Sequence, residues 1–217
     1  MGRLIDQDRR RRARGLRAER KRQVLVAARE ALGRLPWEDV SLEYLDRKAG
    51  VPQGTSALHF GSREDLFLAV ARLELEAWYD GLERTVEAWE RPVEPADVAA
   101  RLSRWLRDHP RISRILALMP LAVERLTDQS GMVDLAAWQE ERRSVTGAAV
   151  ERACPWLVGR GDRVVRLLEL LTAGAFGALF AGGPSLIVRS QGHGGDAAIV
   201  TALIEELLRD AVARTDG

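Results

Sequence analysis

The 217-residue chain balances 33 Lys and Arg against 32 Asp and Glu, so its net charge of +1 singles out no polyanionic or cationic partner. A hydrophobic fraction of 46% beside 30% charged residues excludes a disordered or fibrous chain and suffices for one large or two smaller globular domains. One cysteine, Cys154, excludes an internal disulfide and fits a reducing cytoplasm.

The charge is unevenly placed. Residues 1–22 hold ten Lys or Arg and three acidic residues, a net of +7, which leaves −6 on the remainder. Arg9, Arg10, Arg11 and Arg12 form the densest run, and residues 1–17 read as a flexible basic arm attracted to a polyanion. The plainer alternative is a solubilising tail. No apolar block follows these arginines, which argues against a secretory signal. An uncharged stretch at 170–188 is long enough to raise a membrane span, but Gly182, Gly183 and Pro184 interrupt it. It reads as a buried helix.

In chain order, Leu25, Ala28, Leu32 and Leu35 recur at helical steps until Pro36 stops the pattern. Ser41 is placed to cap a short helix with Leu42 and Leu45 on one face and Ala49 continuing it. Gly50 supplies the left-handed residue of a sharp exit, Val51 packs into the corner, and Pro52 suits the first turn of a further helix reaching Phe60 and Gly61. Ser62 then caps a long helix, 62–85, with Glu64 and Asp65 at its N-terminus and Leu66, Val70, Leu73 and Ala77 as its inward stripe. Two helices at a tight glycine corner, packed on a preceding helix, make a helix-turn-helix over about 18–64. Its second helix, Pro52 to His59, would enter a major groove with Gln53, Thr55 and Ser56 facing out. A simple corner in a helical bundle is the competing reading. The basic arm favours DNA, because phosphate attraction dominates affinity.

The segment WEDVSLEYLDRKAGVPQGTSALHFGSREDLFLAV resembles the N-terminal domain of tetracycline-repressor (TetR) family transcription regulators, over about residues 20–75. The AGV turn, Gly54-Thr55, His59-Phe60 and Ser62-Arg63-Glu64 carry the resemblance most specifically. It implies an all-α homodimer with a DNA-binding domain and an effector-binding domain. By position it implies that Ser41 faces phosphate, that Gln53, Thr55 and Ser56 approach bases, and that His59 and Arg63 grip the backbone. This sequence departs at Ala57, where the family usually has a phosphate-contacting tyrosine, and at apolar Leu58, which either meets a thymine methyl or packs inward. The arginine arm would compensate for the missing anchor.

Residues 65–217 read as a larger helical domain. Pro92 and Pro95 bracket a break, and Val98, Leu102, Trp105 and Leu106 then mark a helix. Ile112, Ile115, Leu116 and Met119 mark another before Pro120, and Leu135, Trp138, Val145 and Ala149 line the inner side of a long one ending at Pro155. The apolar helices at about 162–181 and 195–213 suit a two-fold four-helix dimer interface, with small residues Ala173, Gly174, Ala175, Gly177 and Ala178 allowing close approach. Trp78, Trp105, Met119, Trp138, Phe176 and Phe180 are candidates to line a site for a mostly apolar or aromatic effector, or else are core. His59, His109 and His193 lie in separate segments, and no metal, nucleotide-cofactor or nucleophile motif is present. The expectation is a non-enzymatic, cofactor-free, cytoplasmic homodimer with no membrane segment. It is expected to bind operator DNA as a repressor that a small effector releases. The alternatives are a ligand-independent or architectural DNA-binding dimer, and a helical effector-binding or enzymatic protein that never meets DNA.

Overall fold

The computed structural model describes residues 2–90, 93–126 and 128–180, all helix, turn or loop with no strand among them. Among the described residues the α-helices are α1 (Gly2–Leu32), α2 (Leu42–Ala49), α3 (Thr55–Phe60), α4 (Arg63–Glu87), α5 (Pro95–Arg107), α6 (Pro110–Val123), α7 (Ser130–Ala153) and α8 (Gly161–Phe180). They form two compact units that divide inside α4, between Arg72 and Leu73, with Leu121–Gly131 belonging to the first. The sequence boundary was expected at 64/65.

In the first unit, the buried face of α1 is Val24, Ala27, Ala28, Ala31 and Leu32, whereas Leu25 and Leu35 are only half-buried. Leu45 from α2 and Leu66, Phe67 and Val70 from α4 complete the core, with Trp37 set edge-on to Phe67 at 5.3 Å. Full burial of each such side chain contributes about 1.5–3 kcal/mol. Trp37 sits in a 3-10 turn, Trp37–Asp39, that the apolar periodicity does not announce. Residues 2–17, expected to be a flexible arm, instead continue α1. Arg, Ala, Leu and Gln are good helix formers, and the Arg22 guanidinium pairs with Glu19 at 2.7 Å one turn back.

Two further expectations need correction. The helix after the corner begins at Thr55 rather than Pro52, because Gly54 takes a left-handed φ of 85° and interrupts helical geometry. Pro52 instead lies in the preceding turn, its carbonyl accepting from the Thr55 backbone N–H at 3.1 Å. Further on, Leu73 and Ala77 of α4 are exposed, and the buried stripe runs through Val70, Ala71, Leu75, Trp78, Tyr79, Leu82 and Val86.

In the second unit Val98, Leu102, Trp105 and Leu106 are buried on α5, as their spacing predicts. α6 runs through Pro120 instead of stopping there. A proline so near the C-terminal end removes one backbone bond from the last turn only. On α7 the inner side is Leu135, Thr146, Gly147, Ala149 and Val150, while Val145 is exposed. Charged side chains clasp these helices. Arg142 of α7 donates to Asp80 at 2.7 Å and Glu83 at 2.9 Å on α4, and the Thr146 hydroxyl donates to Glu83 at 2.6 Å. Arg143 donates to Glu169 of α8 at 2.9 and 3.1 Å, and the Tyr79 hydroxyl donates to the same carboxylate. Burial, then the neighbouring Glu169 charge, pushes the Tyr79 hydroxyl far above its ordinary range, so it remains a donor. The expected helix at 195–213 lies outside the described residues.

Candidate functional site

The corner is built from Ser41 onward. Its hydroxyl accepts from the Tyr44 backbone N–H at 3.1 Å, capping α2. Gly50 ends that helix at φ 67°, a left-handed conformation that costs a side-chain-bearing residue about 1–2 kcal/mol. Asp46, 2% exposed, then reaches across the turn to the start of α3. Its carboxylate accepts from Gly54 N at 2.7 Å, Ser56 N at 2.8 Å and the Ser56 hydroxyl at 2.6 Å. A helix N-terminus leaves such N–H groups without intrahelical partners. Here a residue eight and ten positions upstream supplies the cap, and α2 and α3 are locked at a fixed angle.

That lock changes which side chains can face outward. Thr55 and Ser56, expected on the outer face, are both buried. The Thr55 hydroxyl donates to the Pro52 carbonyl at 2.5 Å, and the Ser56 hydroxyl serves Asp46. Their polarity is engaged within the corner. The exposed side chains are Gln53, in the turn before α3, and Ala57 and Leu58 on it, and Leu58 is 78% exposed. Of the two fates open to Leu58, inward packing is therefore excluded.

His59 is half-buried and set edge-on to Phe60 at 6.4 Å, while the Lys21 ammonium lies 5.5 Å from the Phe60 ring centroid. Arg63, expected to grip phosphate, stands over Trp37 at 4.4 Å, donates to the Trp37 carbonyl at 3.3 Å and pairs with Glu64 at 3.2 Å. Its guanidinium is held by the first unit's own core rather than presented to a partner. Ser41 is half-buried. Arg10, Arg11 and Arg12 are exposed on α1, and the Arg9 backbone belongs to the same helix.

The candidate effector residues divide differently. Trp78 and Trp105 are buried and edge-on at 5.0 Å, and Tyr79 packs edge-on to Trp78 at 5.2 Å and to Trp138 at 6.0 Å. This cluster is core, with Trp138 half-buried at its margin. Met119 is half-buried on α6, and the side chains of Phe176 and Phe180 lie outside the described residues. Trp105 of the set borders a groove, which lies between α4 and α5 and measures about 800 Å3. Among the described residues no group of His, Cys, Asp and Glu could hold a metal ion, and no helix is long and apolar enough to cross a membrane.

Helix order and the locked corner define an all-α fold of the kind found in TetR-type regulators. A TetR transcriptional regulator from Rhodococcus sp. RHA1 is similar over 90% of this chain and 96% of its own, with a TM-score of 0.53 and 20% identity. A second transcriptional regulator from the same strain is similar over 90% and 95%, with a TM-score of 0.55 and 16% identity. No family model and no curated protein matches the sequence.

Proposed function

We propose that this protein is a sequence-specific DNA-binding transcription regulator, acting as a homodimer and released from its operator by a small effector. The observation that carries the reading is the corner. Asp46 fixes the start of α3, and Gln53 in the turn before it and Ala57 and Leu58 on it are all exposed, offering one amide and one apolar tip. Gln pairs with adenine edges, and an apolar side chain meets the thymine methyl. The exposed arginines of α1 supply the sequence-independent phosphate attraction. Exposed Leu170 on α8 and exposed Val133 and Val145 on α7 support a paired face in a dimer. The neighbours' description as transcriptional regulators agrees with this reading. Release is a population shift, in which effector binds better to the conformation whose two recognition helices no longer match successive major grooves. A cytoplasmic location follows from the role.

The test is selection of preferred duplexes from a random pool, followed by binding of Gln53→Ala and Leu58→Ala variants to the selected site and to random DNA at fixed salt. Each variant loses about 1–3 kcal/mol on the selected site and little on random DNA. Failure to enrich any sequence sinks the reading.

A further inference from the structure

The groove between α4 and α5 has the volume of a small-molecule site, and its lining is cationic. Arg84 from α4 and Arg101 and Arg104 from α5 line it, opposed by one carboxylate, Asp108. None of the three guanidiniums forms an ion pair among the described residues. This contrasts with Arg142 and Arg143 of the same unit, each fixed by carboxylates. It also runs against the net −6 carried by the chain beyond residue 22. Arg84 and Arg104 are exposed and Arg101 is half-buried, so all three remain accessible to an anion, and a guanidinium fork matches a carboxylate in two parallel bonds.

Two flat ring systems share the groove with these charges. Trp89 is half-buried, with the Arg101 guanidinium 5.5 Å from its ring centroid. Trp105 is stacked on His109 with centroids 4.2 Å apart and planes at 27°. The His109 Nδ1 lies 2.7 Å from the Trp105 carbonyl oxygen, an acceptor only, so that nitrogen carries the hydrogen and Nε2 is left as the ring's second polar position. An apolar ligand would leave the guanidiniums unmatched, and a bare inorganic anion would leave the indole surfaces wet.

We infer that this groove binds a planar aromatic carboxylate, with its charge on Arg101 and Arg104 and its ring against Trp89. The inference rests on the reading that a small effector controls this protein, and it adds an anionic group to the mostly apolar or aromatic ligand expected from the sequence.

The experiment uses the full chain without DNA and compares 1-naphthoate with its neutral isostere 1-naphthamide by titration calorimetry. The acid binds at least tenfold more tightly than the amide. An Arg101→Gln, Arg104→Gln double variant, shown folded by circular dichroism, loses that preference. A Trp89→Leu variant weakens acid and amide alike. Equal affinity for the two probes, no binding of either, or an undiminished preference in the double variant overturns the inference. Binding to selected DNA is measured separately. If the acid preference holds but no DNA is bound, the regulator reading fails alone; if DNA binds but the probes are not distinguished, the ligand class fails alone.

Discussion

Asp46→Ala removes the carboxylate that joins α2 to α3. Three donors lose their acceptor: Gly54 N, Ser56 N and the Ser56 hydroxyl. Their fates differ. Gly54 is exposed, so its amide exchanges one partner for water, and the Ser56 hydroxyl can rotate. Ser56 is fully buried, and its amide is left without a partner, which costs about 1–3 kcal/mol. Loss of the charged acceptor's bonds adds about 1.5–3 kcal/mol, and the terms share one carboxylate and do not simply add. The expected loss is about 3–4 kcal/mol. Asp46→Asn keeps one oxygen for Ser56 but turns an NH2 toward the Gly54 N–H, so its loss is smaller, about 1–2 kcal/mol. Urea denaturation at fixed protein concentration, with hydrogen exchange of the Gly54 and Ser56 amides, measures both the global and the local effect. An alanine variant within about 0.5 kcal/mol of wild type, with unchanged exchange at both amides, would refute the account of the corner.

Gly147→Ala places a Cβ 2.6 Å from the Asp162 backbone nitrogen and 2.9 Å from the Gly161 carbonyl carbon, so α7 and the start of α8 must part. A loss of about 3 kcal/mol is expected, and an unchanged thermal midpoint contradicts it. Arg63→Ala loses the contacts to Trp37 and Glu64 and lowers stability by about 1–2 kcal/mol. DNA affinity measured at a temperature where the variant is folded should change little; a large, sequence-independent loss there would restore Arg63 as a phosphate anchor. Deleting residues 2–17 weakens DNA binding and flattens the salt dependence by about 0.9 in log–log slope for each phosphate no longer neutralised. Identical slopes for the two proteins would make the arginines of α1 bystanders.

The helices of both units were legible because their signals are local. Ser41, Gly50 and Ser62 act through neighbours within four residues, and the apolar spacing of α5 survives intact in its buried face. What the sequence concealed depends on contacts across a reversal. Asp46 reads as one more polar residue on a surface helix, and only the turn at Gly50 brings it to Ser56, ten positions on. Once it does, Ser56 turns inward to meet the carboxylate, Thr55 turns back to the Pro52 carbonyl, and Leu58 is left pointing out. Polarity is therefore a poor guide to outward facing on a six-residue helix, because the first turn's hydroxyls have backbone partners to satisfy. The contact of Arg63 with Trp37 was concealed for a similar reason, since the two lie 26 positions apart. The groove cations escaped notice because Arg84 and Arg101 lie on different helices and no spacing links them.

This inversion of α3 sets a limit on what one copy of the corner can discriminate under the proposed function. Gln53 and Leu58 are two readers, and each good base contact is worth about 1–3 kcal/mol of discrimination. A single copy therefore separates a chosen site from a mismatched one by about 2–6 kcal/mol. A genome offers on the order of 10⁶–10⁹ competing sites, equivalent to about 8–12 kcal/mol. The basic helix does not close this gap, because phosphate contacts strengthen every sequence alike. Two corners held by a dimer roughly double the sequence-dependent term and bring it to the required scale. Under the proposed function, the apolar side chains exposed on α7 and α8 would then have a purpose that a monomer does not give them, because pairing the chain would turn two weak readers into a specific site.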